Sequence, residues 1–272
     1  MADKSNVVLS LDNVTKRFGG LVAVDAVTFD VHEHDIYGLI GPNGAGKTTI
    51  FNLITGIYKL SEGDIGFYGK SLAGLKTFQV AQAGISRTFQ NIRLFKKLTV
   101  YENVRTACHL DADYNLLHTL VRLPIPGPFG KFAAQESRLH KKTEELLELM
   151  GLTKYQNMVA SNLPYGLQRK LEIARALTLN PRLLLLDEPA AGMNPEETQQ
   201  LMQLVQDIRT RFNLTVLIIE HHMDLIMGIC NRIFVLNFGK PLAEGTPDEV
   251  QNNEHVIEAY LGKEGDDNAE DQ

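Results

Sequence analysis

The stretch Gly41-Pro-Asn-Gly-Ala-Gly-Lys-Thr48 decides the fold of this chain. It follows the apolar run Ile36-Tyr-Gly-Leu-Ile40 and precedes an apolar-periodic segment at 48–54, an order that predicts a strand, a glycine-rich turn and a helix. Glycines in such a turn let backbone N–H groups curl around phosphate oxygens. A glycine-rich turn with a surface lysine is the alternative, but the flanking strand and helix favour a phosphate loop.

Every position of this loop is a candidate contact for a nucleotide. Lys47 is expected to neutralise the β- and γ-phosphates, and the hydroxyl of Thr48 is expected to bind Mg²⁺. The candidate nucleotide-binding residues of the loop are Gly41, Pro42, Asn43, Gly44, Ala45, Gly46, Lys47, Thr48 and Thr49.

A second motif, Leu183-Leu-Leu-Leu-Asp-Glu188, ends an apolar run with two carboxylates. Continuous apolar runs, here and at Thr215–Ile219, are typical of strands buried on both faces of a parallel sheet. Ligands bind at the carboxyl ends of such strands. Asp187 is therefore a candidate for holding Mg²⁺ through water, and Glu188 for polarising an attacking water. A solvated Asp-Glu pair is the alternative, which the phosphate loop disfavours.

The remaining pattern predicts an α/β core lobe with a helical insertion. Alternating apolar residues at 7–11 and 24–31 predict an N-terminal antiparallel sheet. Residues 94–163 are mostly helical in pattern, and a helix over 135–150 has one apolar side. We expect a single domain at 7–262, with 7–90 and 166–262 as the core lobe and 91–165 as the helical subdomain. The proline-rich stretch 123–130 predicts a surface loop, and the acidic tail at 263–272 predicts disorder.

Composition excludes several classes of protein. The net charge of −6 over 272 residues argues against a protein whose main task is to bind nucleic acid. The most apolar stretch, 214–236, is interrupted by charged and polar residues, so it does not predict a membrane span. The N-terminus lacks the pattern of a secretory signal, which predicts a cytosolic chain. Cys108 and Cys230 form no metal or redox motif.

A third segment, Leu163-Pro-Tyr-Gly-Leu-Gln-Arg-Lys-Leu-Glu-Ile-Ala-Arg-Ala-Leu177, resembles the signature of ABC ATPases, and the resemblance covers the chain from about Val8 to Gly262. It implies a RecA-like core, an antiparallel β-subdomain, an inserted helical subdomain, and hydrolysis of ATP with Mg²⁺. In that family two subunits meet head to tail, so Tyr165 and Gly166 would face the ATP of the partner. An amphipathic core helix without a ligand is the alternative.

The signature departs from the common family pattern at its start. Pro164 stands where a serine is usual, Tyr165 replaces the first glycine of a pair, and Leu167 replaces a glutamine. The serine hydroxyl contact to phosphate is therefore absent. Proline is tolerated at a helix start, so the helix is expected to form.

The resemblance implies roles for four further residues. Gln90 would contact Mg²⁺ and the attacking water, and Phe18 would stack on adenine. His221 would form a hydrogen bond to the γ-phosphate, and Asn194 would take the place of an aspartate at the subunit interface. The alternatives are a surface glutamine, a core phenylalanine and a metal pair of His221 with His222. The implied catalytic set is Glu188, His221, Gln90 and Lys47, and the implied Mg²⁺ set is Thr48, Gln90 and Asp187.

The signature, the run Glu188-Pro-Ala-Ala-Gly-Met-Asn-Pro195 and the ending at 244–262 together look like the larger ATPase subunit of branched-chain amino-acid importers. The insert before Lys131 is typical of it too. This resemblance implies a peripheral position on the cytoplasmic face of the inner membrane. Its implied partners are membrane permease subunits, a second homologous ATPase subunit and, indirectly, a substrate-binding protein, with no nucleic acid. A heterodimer is expected, with a homodimer as the alternative.

Other functions remain as alternatives. One alternative is the ATPase of a related transporter that imports urea or exports lipopolysaccharide. A soluble ABC ATPase acting on nucleic acid or ribosomes would have a coiled-coil insert, zinc cysteines, a second cassette or a basic arm. A nucleotide-binding regulatory module that switches without hydrolysing ATP is a further alternative. The presence of Glu188, a candidate for polarising water, disfavours it. The apolar residues Ile92, Leu94, Phe95 and Leu98 are candidate permease contacts, with packing inside the subdomain as the alternative.

Overall fold

A computed structural model describes residues 6–108 and 129–261 of the chain. The predicted loop at 123–130, apart from its last two residues, and the predicted tail at 263–272 lie outside this range. The chain forms two compact units, 1–90 with 182–272 and 91–181.

The first unit is built on two sheets. Its strands are β1 Val7–Phe18, β2 Leu21–His32, β3 Ile36–Ile40, β4 Glu62–Phe67, β5 Lys70–Ser71, β6 Ile85–Arg87, β7 Leu183–Asp187, β8 Thr215–Ile219, β9 Arg232–Asn237 and β10 Lys240–Gly245. A four-stranded antiparallel sheet has the order β2-β1-β4-β5, and a six-stranded sheet has the order β10-β9-β3-β8-β7-β6. Only β10 is antiparallel in the second sheet. The α/β class and the N-terminal antiparallel sheet are confirmed.

The described helices lie between these strands along the chain or follow the last of them. They are α1 Lys47–Ile54, α2 Thr77–Ala83, α3 Val100–Cys108, α4 Phe129–Leu149, α5 Tyr165–Leu177, α6 Pro195–Phe212, α7 Met223–Ile229, α8 Pro247–Gln251 and α9 Glu254–Leu261. Among these described segments none combines the length and the apolar character needed to cross a membrane.

The apolar runs of the sequence become the central strands because both of their faces are covered. Every residue of β3, β7 and β8 is buried, as the parallel-sheet prediction requires. The two sheets share a core in which Phe29 of β2 stacks on Tyr37 of β3 with ring centroids 5.4 Å apart, and lies 4.8 Å from the ring of Phe234 in β9. These three aromatic rings join the antiparallel sheet to the parallel one.

Asn194 begins helix α6 with a capping box. Its side chain accepts a hydrogen bond from the Glu197 backbone N–H at 2.9 Å, and the Glu197 carboxylate accepts one from the Asn194 N–H at 3.1 Å. Pro195 occupies the first helical turn, where its missing N–H costs nothing. The amide at position 194 thus stabilises the helix start in the place of an aspartate.

The second unit contains α3, α4 and α5. Helix α4 begins at Phe129, six residues before the predicted start, and its apolar face is buried as expected, through Leu139, Leu146, Leu147 and Met150. The sequence pattern predicts residues 166–181 in the core lobe, whereas the structure includes them in the second unit, 91–181. The reason is packing, since α5 contacts α3 and α4.

The two cysteines are buried thiols that form no disulfide. Burial raises the pKa of the Cys230 thiol well above its ordinary value, so the thiolate is not formed near neutral pH.

A buried ion pair joins β6 to β7. Arg87 donates from Nη2 to the Oδ2 atom of Asp187 at 2.7 Å, and the two side chains are only 6% and 2% exposed. The other end of the guanidinium, Nη1, donates to the Oδ1 atom of Asn52 in α1 at 2.7 Å. The guanidinium of Arg87 thereby bridges two acceptors and ties the phosphate-loop helix to two strands of the central sheet.

Replacing Arg87 by methionine should lower the free energy of unfolding by about 3–5 kcal/mol, because removing one partner of a buried pair leaves the other desolvated. Urea denaturation of the nucleotide-free protein would measure it. Arg17→Met is the matched control, since Arg17 and Glu62 form an exposed pair at 2.5 Å, and its cost should stay below about 1 kcal/mol. Equal losses in the two variants would contradict the assigned importance of burial.

Candidate functional site

A cavity of about 440 Å³ opens in the first unit where the central strands end. This volume lies within the range of small-ligand sites. The cavity is lined by Leu21, Val22, Ala23, Asn43, Gly44, Ala45, Gly46, Lys47, Thr48, Thr49, Gln90, Glu188, His221 and Phe238. Several residues that the sequence placed in one site therefore share one cavity.

The phosphate loop is held too tightly for side chains at two of its glycines. Gly41 has a φ of 149°, and a Cβ atom there would lie 2.0 Å from the carbonyl oxygen of Leu236 in β9. Gly46 has a φ of 102°, and its Cβ would lie 2.6 Å from the carbonyl oxygen of Ala23 in β2. Both positions require glycine for conformation and for space.

Lys47 is the first residue of α1, and its ammonium group is held by the loop itself. The Nζ atom donates to the carbonyl oxygens of Gly41 at 2.6 Å and Pro42 at 2.9 Å, and the side chain is buried. The N-terminus of α1 directs backbone N–H groups to the same place. Loop, helix end and ammonium together form a binding site for an anion such as a phosphate group.

Glu188 is the centre of a polar cluster at the strand ends. Its Oε2 accepts a hydrogen bond from Gln90 Nε2 at 2.8 Å, and its Oε1 lies 3.2 Å from Nε2 of His221. The backbone of Glu188 has a φ of 47°, a conformation that costs a non-glycine residue free energy and often occurs at functional sites. Its N–H donates to Ile219 O at 2.9 Å, which holds the turn against β8.

Asp187 and Thr48 offer the oxygen ligands that Mg²⁺ prefers. Asp187 is the last residue of β7, paired with Arg87, and Thr48 is exposed to the cavity in the first turn of α1. Gln90 supplies a third oxygen on the cavity wall. A carboxylate, a hydroxyl and an amide suit a metal ion that takes its other ligands from phosphate and water.

Glu220 is a buried carboxylate whose role the sequence analysis missed. Its Oε1 accepts from the Ala190 N–H at 2.6 Å, and its Oε2 accepts from the His221 N–H at 3.0 Å and the His222 N–H at 3.3 Å. Nδ1 of His222 also lies 3.0 Å from Oε2. Across the described ranges no group of three or more His, Cys, Asp or Glu could hold a metal. The two neighbouring histidines instead contact carboxylates, His221 that of Glu188 and His222 that of Glu220.

Phe18 lies at the end of β1, edge-on to Tyr58, with ring centroids 5.2 Å apart and an angle of 79°. Lys16 places its Nζ atom 4.8 Å from the centre of the Phe18 ring. The ring is partly exposed, which leaves a π-face accessible and disfavours the core-packing alternative. Phe18 is outside the residues that line the cavity itself.

Tyr165 and Gly166 belong to the second unit, at the start of α5. Pro164 is the residue before the helix, and its carbonyl oxygen accepts from the N–H groups of Leu167 and Gln168 at 3.0 Å. The Tyr165 hydroxyl accepts from Nη2 of the buried Arg169 at 3.1 Å. The helix therefore begins normally despite the altered signature, with Tyr165 anchored one turn away.

Two residues of this network carried a signal that sequence reading could have used. Arg87 and Glu220 are charged residues adjoining strands that are otherwise buried, and charges at such positions are normally paired. Their partners, Asp187 and Ala190, lie 100 and 30 residues away along the chain, so only the strand order identifies them.

Comparison with known proteins agrees with this arrangement. Residues 24–191 match the ABC transporter family model, and residues 240–266 match the model for the branched-chain amino acid ATP-binding cassette transporter. The chain is 46% identical over 259 residues to the high-affinity branched-chain amino acid transport ATP-binding protein LivG of Salmonella typhimurium, covering 95% of this chain and 99% of LivG.

Two further similarities extend over nearly the whole chain. The lipopolysaccharide export system ATP-binding protein LptB of Haemophilus influenzae is 33% identical, covering 94% of this chain and 98% of LptB. The solved ADP conformation of MJ1267, an ATP-binding cassette of an ABC transporter, superposes with a TM-score of 0.80 at 31% identity, covering 94% of this chain and 99% of that one. The fold, the cavity and these matches establish that the chain belongs to the ABC transporter family of ATP-binding proteins.

Proposed function

We propose that this chain is the ATP-hydrolysing subunit of a membrane ABC importer for branched-chain amino acids. The observation that carries the proposal is the shared cavity of Lys47, Gln90, Glu188 and His221 in a chain that matches LivG over almost its full length. LivG is named for branched-chain amino acid transport, and the match at 240–266 is to a model of the same name.

The phosphate loop binds the triphosphate of ATP. The backbone N–H groups of residues 43–48 surround the phosphates, and Lys47 exchanges its two carbonyl acceptors for β- and γ-phosphate oxygens. Thr48, Asp187 and Gln90 would hold Mg²⁺, which when bound would offset charge on the β- and γ-phosphates. Arg87 holds the Asp187 carboxylate in place through Oδ2 at 2.7 Å.

Glu188 is the residue that acts on water. Its carboxylate orients a water molecule and accepts its proton as the water oxygen attacks the γ-phosphorus and the bond to the β–γ bridging oxygen breaks. Gln90 and His221 hold this carboxylate at 2.8 and 3.2 Å. His221 forms a hydrogen bond to the γ-phosphate. The products are ADP and inorganic phosphate.

A second, homologous ATPase subunit completes each site. In this proposal Tyr165 and Gly166 of one subunit approach the ATP of the other, and the N-terminus of α5 supplies N–H donors. A heterodimer fits the importer, with a homodimer as the alternative. Phe18 stacks on the adenine of its own subunit's ATP.

The second unit carries a small pocket at two of the candidate permease contacts, Ile92 and Leu94. Ile92, Leu94, Lys96, Ala160, Ser161 and Gln168 line a cavity of about 120 Å³ within it. Of the four candidate contacts, Ile92, Leu94 and Leu98 are half-buried and Phe95 is exposed. This incomplete burial favours a docking surface over core packing. Such docking would place the chain on the cytoplasmic face of the inner membrane, with a substrate-binding protein as an indirect partner.

Hydrogen bonds hold the segment before α3, which carries these candidate permease contacts. Asn103, which is buried, accepts from the Phe95 N–H at 2.9 Å and donates to the Phe95 carbonyl at 3.1 Å. Glu172 of α5 accepts from the Arg93 N–H at 3.2 Å, and the guanidinium of Arg175 lies 4.8 Å from the Phe95 ring. A docking segment that is held in place transmits a displacement of the ATPase to the permease better than a loosely held one.

Lipopolysaccharide export is the second candidate, because LptB also matches over the full chain. Its lower identity, 33% against 46%, and the match at 240–266 favour amino-acid import.

Glu188→Gln should retain ATP binding and lose steady-state hydrolysis by about 10²–10⁴-fold, because an amide cannot accept the proton from water. Phosphate release measured beside equilibrium ATP binding would test this. Glu196→Gln, an exposed substitution in the first turn of α6, is the matched control. Turnover near the wild-type rate in Glu188→Gln would remove Glu188 from its assigned role.

Lys47→Ala should raise the dissociation constant for ATP about tenfold or more, since charge-assisted hydrogen bonds to phosphate are lost. Isothermal titration calorimetry would measure the change, with Lys76→Ala as a control on an exposed lysine at the start of α2. Unchanged ATP affinity in Lys47→Ala would contradict the phosphate-loop assignment.

Affinity purification of the chain from gently solubilised native membranes should recover two permease chains and a second ATPase, identified by mass spectrometry. Vesicles reconstituted with that complex and supplied with the substrate-binding protein should take up leucine, isoleucine or valine when ATP is supplied. Recovery with ribosomes or DNA-repair proteins and no membrane protein would reject the transport role, while uptake of another solute would reject only the amino-acid assignment.

A further inference from the structure

The turn between β9 and β10 carries an aromatic residue in an unfavourable conformation. Asn237 pairs with Lys240, so Phe238 and Gly239 form a two-residue hairpin loop, with φ values of 45° and 79°. Positive φ at both positions favours asparagine, aspartate or glycine, and a bulky side chain at the first position costs free energy.

Burial does not offset that cost. The side chain of Phe238 is 81% exposed, the largest exposed fraction among the large apolar residues of the described ranges. A strained residue that gains nothing from packing is a reason to look for a ligand.

The turn is fixed against the phosphate loop. The Gly239 N–H donates to the Ala45 carbonyl at 3.0 Å, and the Gly239 carbonyl accepts from the Asp25 N–H at 2.8 Å. A Cβ atom on Gly239 would lie 2.8 Å from the Ala23 carbonyl, so the backbones are in close contact. Phe238 is thus held on the wall of the cavity, where Leu21 and Val22 provide further exposed apolar surface.

Strand order places Phe238 at one end of that cavity. The phosphate loop follows β3; Phe238 follows β9 on one side of β3, while Glu188 and His221 follow β7 and β8 on the other side. Glu188 and His221 act at the γ-phosphate in the proposed function. Phe238 therefore lies on the side of the loop away from the γ-phosphate, where the nucleoside of a bound nucleotide extends.

We propose that Phe238 is a further nucleotide-binding residue, which covers the ribose and base of the ATP held by the phosphate loop. Its ring offers a π-face and apolar edge to the nucleoside, while Leu21 and Val22 supply apolar contacts beside it. Phe18 is a separate aromatic at the end of β1. The inference rests on the proposed function, because it takes the triphosphate site at Lys47 as given.

The variant Phe238→Asn tests this without endangering the fold, since asparagine suits the turn and should raise the melting temperature of the nucleotide-free protein. Titration calorimetry would compare two probes in the presence of Mg²⁺, ATP and inorganic tripolyphosphate. We expect the dissociation constant for ATP to rise about fivefold or more, and that for tripolyphosphate to stay within about twofold of the wild-type value.

Two controls separate the possible failures. Phe78→Asn replaces an exposed aromatic in α2 that is outside the cavity lining and should leave both constants unchanged. Lys47→Ala should weaken both ligands. Wild-type protein that binds neither probe would reject the proposed function itself. Wild-type binding of ATP with an unchanged constant in Phe238→Asn, or equal weakening of both probes in that variant, would overturn the role of Phe238 alone.

Discussion

The close approach of three backbones around the phosphate loop is the constraint on which the rest of the structure depends. Gly41 lies against the carbonyl of Leu236 in β9, and Gly46 against that of Ala23 in β2. Strand β2 belongs to the antiparallel sheet and β9 to the parallel one, so the loop has its shape only when both sheets are joined. The aromatic stack of Phe29 on Tyr37 provides that junction within the core.

Much of the fold follows from patterns that act over short distances. The apolar runs at 36–40, 183–186 and 215–219 become buried parallel strands because their side chains have no polar face to keep in water. The start of α4 was predicted six residues late, and α5 was assigned to the other unit. Those errors arise because periodicity identifies an element but not its packing partners.

The residues of the candidate site also divide into those that local sequence patterns predict and those that they miss. Motifs of contiguous residues predict the loop at 41–48, with Lys47, and the carboxylate of Glu188. The pairing of Arg87 with Asp187 and the contacts of Glu220 were missed, because each joins segments that only the strand order β8-β7-β6 brings together. Phe238 was missed since its position at the cavity depends on a hairpin turn fixed by Ala45.

Glu220 gives the loops that follow β7 and β8 a single shared anchor. One carboxylate, buried among apolar strands, holds the backbone of Ala190 through one oxygen and those of His221 and His222 through the other. A shift of either loop must therefore displace the other or break a hydrogen bond to a buried carboxylate, which costs free energy. The position of the backbone at Ala190 is thereby coupled to that at His221, since both depend on the same carboxylate.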